Sequence, residues 1–208
     1  MFIELVDALR CTREHPDTWL VASIVERDDR IIRTGALGCP ICSREYPIRG
    51  GVAWFGVEPA VLDDAPPTLG ADAGDDAMLL GAMLEASEGA TIAVTGRWAR
   101  AAIELVGMLP MRAYVINPDV TVADSERTGV IRSAEGIPLA PNALRGVALD
   151  DANATPENVA SAIRALAAGG RLVAPAAFPV PQELVELARD ERWWVAEKPR
   201  PLVGLRRG

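Results

Sequence analysis

Gly38 to Phe55 reads GCPICSREYPIRGGVAWF. Cys39 and Cys42 stand at the two-residue spacing at which one metal ion takes both sulfurs. Pro47 holds Tyr46 extended, Gly50-Gly51 marks a turn, and Val52 to Phe55 is an unbroken apolar run. The stretch therefore predicts a metal knuckle, a strand, a tight turn and a second strand.

Outward toward the N-terminus, Cys11 and His15 are the other residues with metal-ligand chemistry. All three cysteines and the one histidine of the 208-residue chain fall within residues 1–55. That grouping makes Cys11, His15, Cys39 and Cys42 candidate ligands of a four-coordinate structural zinc. Glu14 or Asp17 is an alternative fourth ligand. The plainer alternative is a metal-free ribbon, with Cys11 a buried thiol and His15 a surface residue. Trp19 to Val25 and Arg30 to Thr34 are β-rich and meet at Asp28-Asp29. A unit this small buries too little apolar area to stand alone, so a metal or a docking surface is expected.

The Cys-x-x-Cys, Tyr46-Pro47-Ile48 and Gly50-Gly51 occur in the order found in a small zinc-ribbon family. Residues 1–55 resemble that family, whose members activate RNA and protein methyltransferases. The family carries a second Cys-x-x-Cys where this chain has Cys11-Thr12-Arg13-Glu14-His15. The resemblance implies a ribbon that docks onto a methyltransferase domain by strand addition and apolar contacts.

Residues 56–76 hold six acidic side chains and no basic one, mixed with Pro, Gly and Ala, and read as an exposed linker. From Ala77 a helical stripe of Met78, Leu79, Met83 and Leu84 is expected, closed by Gly89. Strands are expected at Thr91–Thr95, Arg112–Ile116, Gly129–Arg132, Gly146–Leu149 and Arg171–Pro175. Trp98–Val106 reads as a helix. Another has Thr155 as cap, Pro156 in its first turn, and Gly169-Gly170 as its stop. Pro181–Asp190 reads as a further helix. Trp193–Glu197 and Leu202–Leu205 suggest a closing hairpin, with one of Trp193 and Trp194 in the core and the other a rim or interface residue. The fold class expected is α/β. A β-rich zinc ribbon (1–55) and a linker (56–76) precede a Rossmann-like, doubly wound, mostly parallel sheet (77–208) that ends in an antiparallel hairpin.

Leu166-Ala-Ala-Gly169-Gly170-Arg171-Leu172-Val173-Ala174, Glu135-Gly-Ile-Pro138 ahead of a strand ending at Asp150, and the closing hairpin resemble the class I S-adenosylmethionine-dependent methyltransferase fold. The resemblance implies a cofactor pocket lined by Thr95, Gly96, Asn117, Glu135 and Asp150. In that family a glycine-rich loop follows the first strand, so that backbone can approach the cofactor. Here Arg97 and Trp98 follow the single Gly96. Asn117 takes the place of an acidic residue that binds ribose hydroxyls, without the charge-assisted bonds of a carboxylate. The reading favoured from sequence is that Gly96 is a plain turn and Trp98 fills the pocket as core.

The net charge of −8 disfavours unaided nucleic-acid binding, and no apolar run is long enough to span a bilayer. The N-terminus lacks a signal-peptide pattern, so a cytoplasmic location is expected. With His15 spoken for, no Ser-His-Asp arrangement can be assembled. The sequence thus points to a zinc-binding scaffold that engages a protein partner or a second copy, with a degenerate methyltransferase-like domain. An active methyltransferase with an atypical cofactor loop is the alternative.

Overall fold

The computed structural model describes residues 1–59 and 73–200. After a 3-10 turn at Ile3–Ala8, four antiparallel strands follow: β1 (Val21–Asp28), β2 (Ile31–Gly38), β3 (Glu45–Arg49) and β4 (Val52–Phe55). The two-residue turn between β3 and β4 has Gly50 at φ 55° and Gly51 at φ 81°. Two successive positive φ values are the requirement of a type I′ hairpin, which glycine meets without strain.

The α/β region begins with helix α1 (Ala73–Leu84) and strand β5 (Thr91–Thr95). Helix α2 (Ala99–Met108), strands β6 (Arg112–Ile116), β7 (Thr128–Ser133) and β8 (Leu144–Ala148), and helix α3 (Pro156–Ala165) follow. Strands β9 (Leu166–Pro175), β10 (Val185–Arg189) and β11 (Trp193–Glu197) close the described chain. All eleven strands form one sheet in the order β1-β2-β3-β4-β7-β6-β5-β8-β9-β11-β10. From β4 through β9 the ladders at β4–β7, β7–β6, β6–β5, β5–β8 and β8–β9 are parallel; β11 runs antiparallel to both β9 and β10. The chain moves outward from β5 in one direction and then in the other. The strand order therefore reverses between β5 and β8, the place where open α/β sheets form a crevice at their carboxyl ends.

The hairpin strand β4 is where the two regions meet. Ala53, Trp54 and Phe55 pair with Ile131, Arg132 and Ser133 of β7. All four residues of β4 are buried, as a strand covered on both faces requires. Its pleat sends Ala53 and Phe55 into the core shared with Tyr46, Tyr114 and Ile131. Val52 and Trp54 turn to the opposite face, beside Val130. Helices α1 and α2 cover one face of the central strands. The 3-10 turn and α3 cover the other.

Several expectations are corrected. Pro181–Asp190 is not a helix: Val185–Arg189 is an edge strand, because pairing with β11 overrides the helix preference of its Glu, Leu and Ala residues. The closing hairpin is therefore β10–β11, and Leu202–Leu205 lies outside the described residues. Neither tryptophan of that hairpin is a rim residue. Strand β11 lies between β9 and β10, and Trp193 and Trp194 are both buried, in the cores on opposite faces. Helix α1 starts at Ala73, inside the expected linker, and buries Ala77, Leu80 and Leu84 while Met78 and Leu79 are exposed. Small residues at the seam set this rotation: a Cβ on Gly81 would press on Leu105 of α2. Helix α3 ends at Ala165, not at the glycines. Its cap is as read, with the Thr155 hydroxyl accepting the Asn158 N–H at 3.2 Å.

Phe55 is fully buried and stacks on Tyr46 with ring centroids 4.3 Å apart. Phe55→Ala is expected to cost about 3–5 kcal/mol of stability, read from the urea midpoint of the full chain.

Candidate functional site

The side chains of Cys11, His15, Cys39 and Cys42 converge, with their ligand atoms all within 4.8 Å of one another. Cys11 Sγ lies 3.6 Å from Cys42 Sγ, and Cys39 Sγ lies 3.2 Å from His15 Nε2. Four ligands at zinc–sulfur distance from a common centre are about 3.8 Å apart, so the cluster matches a tetrahedral site. The knuckle is closed by Ser43 N–H donating to Cys39 O and Cys39 N–H to Arg44 O, at 2.9 and 2.8 Å. Ser43 takes φ 58° to make this turn.

Burial opposes ionisation of the Cys39 thiol. The backbone N–H groups of Cys42 and Ile41, helped by the thiols of Cys42 and Cys11, outweigh it and hold the thiol down to about 7. The protein thus already favours the thiolate that binds metal. His15 Nδ1 lies 2.8 Å from Pro16 O, a contact that assigns the proton to Nδ1 and leaves the Nε2 lone pair facing the cysteines. The candidate set therefore fits a metal in atom type, spacing and tautomer. Glu14 and Asp17 are not in the cluster; Asp17 accepts from Arg10 Nε at 3.3 Å.

A second polar group gathers at the carboxyl ends of β5, β6 and β8. Asp150 is buried, and its Oδ1 accepts from the Thr95 hydroxyl at 2.8 Å and from Asn153 Nδ2 at 2.6 Å. Gly96 has φ 47°, and a Cβ there would collide with Asp150 Oδ2. The carboxylate thus occupies the space directly over the glycine. Asn117, at φ 48°, exchanges two hydrogen bonds with Ser133: its Oδ1 accepts from Ser133 N at 2.8 Å and its Nδ2 donates to Ser133 O at 2.7 Å. The same Nδ2 lies 3.2 Å from Asn153 Oδ1. Trp98 is buried against Trp193, with ring centroids 4.9 Å apart and its Nε1 donating to Leu149 O at 3.4 Å. Arg97 lies over the rings of Trp98 and Trp193.

Of the residues proposed for a cofactor pocket, Thr95, Gly96 and Asp150 come together, and Asn117 joins them through Asn153. Glu135 does not. Its carboxylate faces the ribbon, taking Arg44 at 2.6 Å and the Thr12 hydroxyl at 2.5 Å. Sequence reasoning missed Asn153, Thr12 and Arg44. Asn153 carries no pattern signal, and the other two acquire partners only when the sheet brings Glu135 alongside.

No protein-family model and no curated protein sequence matches the chain. Among solved structures it is similar to a chain of a complex that contains the Haloferax volcanii Trm112 methyltransferase activator, at 18% identity and a TM-score of 0.41. That match covers 53% of this chain and 61% of the other. Geranyl diphosphate methyltransferase bound to SAM matches at 13% identity and a TM-score of 0.39, over 49% of this chain and 48% of its own. The [4+2]-cyclase SpnF matches at 16% identity and a TM-score of 0.40, over 54% and 45%. The likeness to methyltransferases spans about half of this chain, and less than two thirds of each of those chains is covered.

Gly96→Ala places a Cβ against Asp150 in a left-handed backbone conformation, and is expected to cost more than about 1 kcal/mol. In an Asp150→Ala background the same substitution should cost less, because the collision is gone and only the backbone strain remains. A double-mutant cycle on denaturant midpoints measures the difference.

Proposed function

We propose that this chain is a zinc-binding scaffold, in which a ribbon (1–55) and the methyltransferase-like region that begins with α1 form a partner-binding protein without methyl-transfer activity. The observation that carries this reading is the position of Asp150 over Gly96. A cofactor approaching that backbone needs the space the carboxylate occupies, and the polar groups that would receive it are engaged with one another. Trp98, buried under Arg97, supports the same conclusion. Cys11, His15, Cys39 and Cys42 would hold the zinc, which ties the N-terminal segment to the knuckle. All four positions are then filled by protein, so the metal's role is structural.

A protein partner or a second copy of the chain is the expected binding target. Among the described residues β1 is an outer strand with one unpaired edge, and Val21, Ile24 and Val25 are exposed along it. Such an edge suits strand addition. Reduced cysteines ligating zinc belong to a reducing compartment, in keeping with a cytoplasmic location. The alternative, an active S-adenosylmethionine-dependent methyltransferase, is favoured by the reversal of strand order between β5 and β8 and by the acid at the end of β8.

Two measurements test the proposal. The purified full chain should contain one zinc, and His15→Ala or Cys42→Ser should weaken its retention against a chelator. A metal-free protein that folds normally would overturn the zinc assignment. Calorimetric titration of the zinc-loaded chain with S-adenosylmethionine and with its demethylated product should show no micromolar binding. Micromolar binding of either would favour the enzyme.

A further inference from the structure

Beside the metal cluster lies a cavity of about 110 Å³ lined by three arginines, Arg10, Arg13 and Arg164, and by Thr18. Cys11 and His15 also reach it, and Asp17 is its one carboxylate. Three guanidinium groups against one carboxylate leave a formal surplus of +2 at this cavity, in a chain whose net charge is −8. A zinc held by three thiolates and one imidazole carries a net single negative charge, so a positive surplus persists with the metal site filled. Like charges gathered at one cavity repel, and a bound anion offsets that repulsion.

The free donors are as telling as the charge. Arg10 is only 9% exposed. Its Nη1 donates to Asp7 O at 2.7 Å and Leu9 O at 2.8 Å, and its Nε to Asp17 Oδ2 at 3.3 Å. Those bonds use three of the five guanidinium N–H groups, and the two on Nη2 have no partner among the described residues. The guanidinium also lies over the Trp19 ring, 5.5 Å from its centroid, so it is fixed before any ligand arrives. Arg164, in the last turn of α3, makes one bond, from Nη2 to Ile137 O at 3.2 Å, which leaves Nε and Nη1. The Arg13 guanidinium and the Thr18 hydroxyl have no partner among the described residues. Arginine forks match the oxygens of a phosphate group in shape and charge. At about 30 Å³ per water the cavity has the room of three or four waters, enough for one phosphate group and too little to enclose a nucleoside. We propose that this cavity binds a phosphate dianion, free or as the end of a monoester, between Arg10, Arg13, Arg164 and Thr18. The site stands apart from the scaffold reading and does not depend on zinc.

The test is calorimetric titration of the full zinc-loaded chain with inorganic phosphate and with phenyl phosphate, at fixed ionic strength. Saturable binding with a Kd below about 1 mM is expected for at least one of them. Phenyl phosphate within fivefold of inorganic phosphate, or tighter, makes the occupant the end of a monoester; weaker binding makes it free phosphate, and either supports the site. Arg13→Gln and Arg164→Gln, both on exposed side chains, should each weaken binding about threefold or more. Asp17→Asn removes the competing negative charge and should tighten binding about twofold or more. Arg27→Gln, on strand β1, controls for net charge and should leave the Kd unchanged. Weaker or non-saturating binding of both probes overturns the inference. So does a smaller loss in either cavity arginine variant, a failure of Asp17→Asn to tighten binding, or a loss in Arg27→Gln equal to theirs. Zinc content measured on the same samples reports separately: a folded, zinc-free chain that still binds phosphate overturns the metal assignment and leaves this site standing.

Discussion

The ladder between β4 and β7 carries the architecture. Without it, the four-stranded ribbon would end in an open apolar strand, and the α/β sheet would end in β7 with an unpaired edge. Buried backbone groups on both sides would lack partners, a cost no local rearrangement of a four-residue strand can offset. Pairing the two edges satisfies both and places Phe55 and Tyr46 in the same core as Tyr114 and Ile131. The join continues past the strand, where Ala134 N–H donates to Phe55 O at 3.0 Å. Among the described residues, β1 and β10 are the outermost strands. An edge needed for the interior is thus used within the chain.

The same ladder sets the neighbourhood of the candidate metal site. Because β4 and β7 run parallel, their carboxyl ends lie together, and the segment after β7 passes beside the knuckle. Glu135 on that segment meets Arg44 and Thr12, and Gly56 leaves room for it: a Cβ there would strike the Glu135 side chain. The carboxylate has partners on both of its oxygens. A residue placed by family resemblance in a cofactor pocket thus serves as the bolt between the ribbon and the sheet.

At the strand reversal, chemistry that commonly serves a ligand is turned inward. Asp150, Thr95, Asn153 and Asn117 satisfy each other in a largely buried setting, where an unpaired polar group is costly and a paired one is stable. Trp98 and Trp193 add apolar area beneath Arg97. These interactions favour one arrangement of the loop after β5, and the proposal of a scaffold rests on them.

Much of this was legible in the sequence, for reasons that are local. Cysteine spacing, a proline-fixed extended residue and a glycine pair each restrict the backbone within a few residues, so the knuckle, β3, the turn and β4 followed directly. Four rare residues in one short segment marked the Cys/His cluster. Apolar runs marked β5, β6 and β8, and Thr155-Pro156 marked the start of α3. Tertiary structure decided the rest, because it depends on partners distant in the chain. Val185–Arg189 is a strand only because β11 lies beside it, and helix α1 turns its face according to Leu105. Glu135 was readable as an acid near a strand, but whether it meets a ligand or Arg44 depends on how β4 docks on β7. No pattern within either segment encodes that choice; shape and hydrogen-bond satisfaction across the assembled sheet make it.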